Sequence, residues 1–123
     1  MQWSGLRSLA TAVKTTGDGF LATFDATGKA LRCAAEVVAG APGLGLEVRA
    51  GVHAGEIERR GDDIAGLAVS IAKRVCDLAQ PEELLVSETV RAHMVGSGIE
   101  FEDRGEHELK GVPGSWHLYS VVA

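Results

Sequence analysis

A few residues of this 123-residue chain pair a reactive group with a position that a fold would hold fixed: Lys14, Asp18, Asp63, Ser70, Arg74 and Lys110. Asp18 stands between Gly17 and Gly19. A carboxylate on so tight a turn is a hard oxygen donor of the kind Mg2+ or Mn2+ requires, and the same residue type also forms turns for purely conformational reasons. Ser70 and Arg74 are four residues apart, one turn on a helix, so a hydroxyl and a planar donor fork would share a face. Lys14 and Lys110 add ammonium groups beside presumed turns. The net charge of −5 and the absence of a long basic run exclude a duplex nucleic acid footprint. A nucleotide that brings its own metal ions needs only a few local cations.

Each of these residues also has a plain structural reading. Lys14 and Lys110 suit solvated strand ends, and Arg74 suits a surface cation paired with Asp77 or Glu82. Asp63 suits a helix N-cap. His53 has no second histidine at metal-ligand spacing, so it reads as a core or hydrogen-bonded residue. Trp3 and Trp116 read as packing residues, and Cys33 and Cys76 as buried, reduced thiols.

The elements that must position these groups follow from hydrophobic spacing. Leu9 to Lys14 and Phe20 to Phe24 predict a hairpin whose turn is Thr15 to Gly19. Ala26 to Ala39 has apolar residues at helical spacing and stops at Gly40-Ala41-Pro42-Gly43. Leu46 to Ile57 alternates like a half-buried strand, and Arg59 to Asp63 reads as a polar turn. Ile64 to Leu78 is amphipathic, with Asp62 or Asp63 placed as N-cap. A short strand at Glu83 to Val86, a helix opening at Ser87, and a final hairpin of Phe101 to Leu109 with Trp116 to Val122 complete the pass. The class is α/β or α+β: one mostly antiparallel sheet with helices packed on one face. Length fits one domain, no apolar run reaches the roughly 20 residues a membrane span needs, and no secretory signal is apparent, so a cytoplasmic location is expected.

Four stretches then carry a resemblance. Lys14-Thr15-Thr16-Gly17-Asp18-Gly19, Val48-Arg49-Ala50-Gly51-Val52-His53-Ala54-Gly55, Asp63-Ile64-Ala65-Gly66 through to Lys73-Arg74, and Glu108-Leu109-Lys110-Gly111 stand in the order and at the spacing of the class III adenylyl and guanylyl cyclase domain, which the chain resembles from Val13 to Val122. The resemblance implies a ferredoxin-like fold, head-to-tail dimers with active sites between protomers, and attack of a ribose 3′-hydroxyl on the α-phosphate with pyrophosphate leaving. It implies that Asp18 is the second of two metal-binding aspartates, with Mg2+ or Mn2+ as the ion. Lys14 and Asp63 match the pair that reads a purine edge, a combination that favours ATP over GTP. Arg74 matches the arginine that stabilises charge on the α-phosphate, and Lys110 the lysine that holds the terminal phosphates. Ser70 falls where the family has Asn or His to orient the ribose.

The resemblance also sets out what is missing. No acidic residue precedes Asp18, whereas the family pattern begins with a strand carrying the first metal aspartate and two helices. Residues 1–12 therefore read as a remnant leading into the first strand, and 13–123 as an incomplete cyclase homology domain. Because the missing strand is central in such a sheet, an unpaired strand edge is expected. A truncated homologue, a sequence lacking its start, and a chain completed by a partner all fit. The function implied is an adenylyl cyclase domain of low activity, dimeric or paired with a second cyclase chain; the alternative is a non-catalytic cyclase-homology module that binds nucleotide or regulates a partner.

Overall fold

A computed structural model of the chain describes residues 7–14, 19–24, 26–56, 58–60 and 63–122. The strands β1 (Arg7–Lys14), β2 (Gly19–Phe24), β3 (Arg49–Glu56), β6 (Leu84–Ser87), β7 (Phe101–Glu108) and β8 (Ser115–Val121) form one sheet in the order β2-β1-β3-β6-β8-β7. Every pairing in it is antiparallel except β3 with β6. A separate two-stranded ribbon joins β4 (Glu58–Arg60) to β5 (Asp63–Ala65). The helices are α1 (Thr27–Gly40), α2 (Leu67–Leu78) and α3 (Glu88–His93). The mixed, mostly antiparallel α+β class expected from the pattern is the one observed.

The first hairpin forms in the expected register, with Leu9 opposite Phe24 and Val13 opposite Phe20. β1 runs without a break across residue 12. On its other side it pairs with β3 from Arg7↔Glu56 to Lys14↔Arg49. Both sides of β1 and β3 are hydrogen-bonded, and the outer strands are β2 and β7.

The single helix-bearing face is also corrected. Ala30, Leu31 and Ala34 of α1 pack with Ala50, Val52 and Ala54 of β3, Leu84 and Val86 of β6, and Val90 of α3. On the opposite face, Ile71, Val75 and Ala79 pack with Leu85, Leu118, Leu109 and Val112. β3 is therefore not half-buried. Residues 50–54 are all buried because a helix covers each face, and the polar-looking alternate positions are simply small, as at Gly51, or hydrogen-bonded, as at His53. Gly51 lets α2 lie directly on the strand: a Cβ there would stand 2.4 Å from the backbone nitrogen of Cys76.

Two local boundaries move as well. The stretch read as a polar turn and the first residues read as helix form β4 and β5, so α2 begins at Leu67 and neither Asp62 nor Asp63 is its N-cap. The N-cap is Gly66 at φ 124°, a conformation that glycine adopts without the steric penalty of a Cβ. Ser87 does occupy the N-cap position of α3, but its hydroxyl makes no cap hydrogen bond. It faces His53 instead.

Candidate functional site

α2 presents two faces of different chemistry. Ala68, Ile71, Ala72, Val75 and Cys76 are buried against the sheet, while Ser70 and Lys73 are exposed and Arg74 is half-buried. Spacings of three and four residues align Ser70, Lys73, Arg74 and Asp77 along one outer stripe. Arg74 Nη1 donates to Asp77 Oδ2 at 3.4 Å, the surface pairing that its plain reading anticipated. With side-chain exposures of 42% and 32% this pair contributes little to stability, which leaves the guanidinium free to exchange Asp77 for another oxyanion.

Lys110 reaches the same side of the sheet by a different route. It occupies the exposed turn between β7 and β8, but its neighbours Leu109 and Val112 are buried at 3% and 8% exposure in the cluster that includes Ile71 and Val75 of α2. Those two anchors fix the turn against the helix that carries Ser70 and Arg74.

The remaining candidates are placed differently. Asp18 lies outside the described residues, as does Asp62. Lys14 is the last residue of β1, with its backbone paired to Gly19 and Arg49. Asp63 opens β5, opposite Arg60. Cys76 Sγ donates to the carbonyl of Arg49 at 3.5 Å, while a Cβ on Gly55 would meet Ala68 Cβ at 3.0 Å, so α2 runs antiparallel to β3. The backbone of Lys14 is accordingly at the C-terminal end of α2, and Asp63 is three residues before its N-terminal cap. The structure brings Ser70, Arg74 and Lys110 to one side of the molecule. Among the described residues no group of three or more His, Cys, Asp or Glu side chains could hold a metal ion.

Other polar clusters lie away from that stripe. His53 is 5% exposed and Ser87 0%, with His53 Nδ1 and Ser87 Oγ 2.7 Å apart. Burial holds the imidazole pKa down at about 4, from an ordinary 6.5. Trp116 meets His53 edge-on, with centroids 5.7 Å apart. Both residues thus have the packing roles their sequence context suggests. At the far end of the sheet His117 stacks on Tyr119 at 4.7 Å and bonds Asp103 at 2.7 Å. The Gly105 N–H, followed by His117, holds the Asp103 carboxyl below its usual range. Glu88 is lowered chiefly by Arg91, whose guanidinium also lies 4.9 Å over the Tyr119 ring. These longer-range partners were not legible in the sequence, because nothing local links residues 53, 87 and 116.

Comparison with known proteins places this arrangement in a family. The sequence profile described as the adenylate and guanylate cyclase catalytic domain matches residues 6–123. A protein named "Putative adenylate cyclase 3" from Rhizobium meliloti (strain 1021) is 31% identical over 116 residues, which is 87% of this chain and 20% of that protein. The chain thus spans about a fifth of the length of this curated relative. The crystal structure of an adenylate/guanylate cyclase/hydrolase from Silicibacter pomeroyi superposes with a TM-score of 0.83 at 21% identity, covering 95% of this chain and 96% of that one. The adenylyl cyclase CyaB from P. aeruginosa superposes with a TM-score of 0.71 at 21% identity, covering 93% and 72%. At these identities the superpositions establish the fold.

Proposed function

Because the chain belongs to the adenylate and guanylate cyclase catalytic domain family, we propose that it is an adenylyl cyclase domain, converting ATP to 3′,5′-cyclic AMP and pyrophosphate at an interface between two cyclase chains. The observation that carries this reading is the outer stripe of α2, where Ser70 and Arg74 stand one turn apart, with the Lys110 turn anchored on the same side by Leu109 and Val112. In the proposal Arg74 exchanges its weak Asp77 contact for the α-phosphate and neutralises charge as the 3′-oxygen attacks. A planar fork of N–H donors held in place is suited to that task. Lys110 binds the terminal phosphates as a point charge. Ser70 offers one hydroxyl to the ribose, a shorter and less directional contact than an amide or imidazole.

The assignment of Lys14 and Asp63 to the purine rests on the motif match: an ammonium donating to ring N1 and a carboxylate accepting from the exocyclic amine select adenine. Asp18 is the candidate ligand for Mg2+ or Mn2+, which would supply charge neutralisation on the phosphates. No helix among the described residues is long and apolar enough to cross a membrane.

A second reading, a non-catalytic module that binds nucleotide or a second cyclase chain, is favoured by Ser70 at the position where the family pattern has Asn or His to orient the ribose. The test is cyclic AMP formation from ATP with Mn2+ by the purified chain, read by mass spectrometry beside Asp18→Ala and Arg74→Ala. Product from the wild type that both variants lose supports the cyclase reading. No product from any of them, with ATP still bound, supports the module.

A further inference from the structure

Beneath α2, away from the Ser70–Arg74 stripe, the fold holds an open cleft of about 480 Å³ between β3, the start of α2, α3 and Trp116. One wall is apolar: Leu67, Ala68 and Ile71 of α2. Leu67 is 57% exposed at its lip. The other wall carries His53, Thr89 and the ring of Trp116, and none of the described lining residues is Asp, Glu, Lys or Arg.

His53 gives the cleft its chemistry. Its side chain is nine-tenths buried, Nδ1 is engaged with Ser87, and Nε2 has no hydrogen-bond partner among the described residues. Gly55 packs closely at that nitrogen: a Cβ there would be 3.4 Å from Nε2 and 3.0 Å from Ala68 Cβ. Each tautomer leaves one donor without a partner among the described residues, the Ser87 hydroxyl or Nε2–H, and only the second lies beside the cleft, where a bound acceptor satisfies it. If Nδ1–H donated to Ser87, the Ser87 hydroxyl, with no exposure at all, would lack an acceptor, a cost of roughly 1–3 kcal/mol. If the Ser87 hydroxyl donates to Nδ1, the ring proton moves to Nε2, beside the cleft. The indole N–H of Trp116 is already donated to the Pro113 carbonyl at 3.1 Å, so it does not compete.

We propose that this cleft binds a small, mainly apolar molecule carrying one neutral hydrogen-bond acceptor, an aryl ketone being the simplest example, with its oxygen on His53 Nε2–H and its ring against Leu67, Ile71 and Trp116. The volume is in the range of small-molecule sites, and a few polar groups among apolar walls is the usual make-up of such sites. The proposal does not rest on the cyclase reading. Its probe is acetophenone, titrated into the whole chain labelled with 15N-histidine, with ethylbenzene as the counterpart lacking the acceptor. The expected result is a saturable shift of the His53 Nε2 resonance with acetophenone, an unprotonated Nδ1, and binding of ethylbenzene at least tenfold weaker. Gly55→Ala should crowd Nε2 and Ala68 and weaken acetophenone binding tenfold or more. Leu67→Gln, an exposed change that leaves the core intact, should weaken it about threefold or more. No saturable shift up to the solubility limit, equal affinity for ethylbenzene, or a protonated Nδ1 would each overturn the proposal.

Discussion

Gly51 of β3 lies directly under Cys76 of α2: a Cβ on Gly51 would stand 2.4 Å from the Cys76 nitrogen, 2.8 Å from its Cα and 2.9 Å from the Ala72 carbonyl oxygen. All three contacts are to helix backbone, which cannot rotate away, so the helix and strand must separate to admit a methyl group. Gly51→Ala should destabilise the chain by at least about 2 kcal/mol, read as a lowered urea midpoint. Gly28→Ala, in α1 with nothing within 4 Å of the added Cβ, should leave stability unchanged or raise it by up to about 1 kcal/mol. Equal midpoints for the two variants would contradict the close packing of α2 on β3.

The Arg104–Glu83 pair joins β7 to the loop before β6 by two parallel hydrogen bonds of 2.9 and 3.1 Å. The side chains are 21% and 10% exposed, and Glu83 Oε1 also accepts from the Gln80 N–H at 2.7 Å. Arg104→Ala strips the guanidinium from a largely buried carboxylate and should cost about 1–3 kcal/mol in chemical denaturation. An effect below the noise would mean that the pair exchanges freely with water.

Stability should fall as pH is lowered from 6.5 toward about 4. His53 titrates at about 4 in the folded chain against 6.5 ordinarily, so in that window the unfolded chain binds the extra proton and acid favours unfolding. The stabilisation is complete above 6.5 and lost as pH falls through the window, with a span on the order of 3 kcal/mol. Glu88 and Asp103, whose carboxyls are held below their usual 4.5 and 3.8, add to the loss only at the acid end of the window and below it. Urea midpoints at a series of pH values should show the slope for wild type and a flatter profile for His53→Gln. Parallel profiles would show that His53 protonates without unfolding the chain.

Arg74→Ala should lower cyclic AMP formation by about 10²–10³-fold, the usual effect of removing one preorganised donor to developing charge, while changing stability by less than about 1 kcal/mol because its pair with Asp77 is exposed. Arg74→Lys should restore little, since an ammonium cannot reproduce the planar fork. Activity and thermal midpoint measured on the same preparations separate the two effects; a variant that loses both together would make Arg74 structural.

The double change Lys14→Glu with Asp63→Cys should raise the ratio of GTP to ATP turnover by at least tenfold, because reversing a purine-edge donor and acceptor changes the penalty for the wrong base. Competing nucleotides in one reaction, with both cyclic products quantified, give the ratio directly. An unchanged ratio would remove these two residues from base recognition.

Much of the fold was legible because it depends on local pattern. The strand pairing of Leu9–Val13 with Phe20–Phe24 follows from two apolar runs and a glycine-rich turn, and the end of α1 follows from Gly40, Ala41 and Pro42. Boundaries failed where one backbone angle decided them. Ile64 fits the helical period of α2, yet Gly66 at φ 124° puts it in β5. The outer stripe of Ser70 and Arg74 could be drawn from spacing alone, whereas the anchoring of Lys110 beside α2 depends on Leu109 and Val112 finding Ile71 and Val75 across more than thirty residues.

By itself the sequence determined the element types, the family motifs, and the residues capable of phosphate and purine chemistry, since composition, periodicity and motif spacing are properties of the chain read in order. Tertiary structure alone decided that helices cover both faces of the sheet and that β1 pairs with β3. The same holds for His53, which looks like one polar position in an alternating strand. Only when β6 delivers Ser87 to one nitrogen and α2 closes over the other side does it become a buried, neutral imidazole facing a cleft. The physical reason is that hydrogen-bond partners and desolvation are set by which distant segments pack together, and a period-two pattern does not specify them.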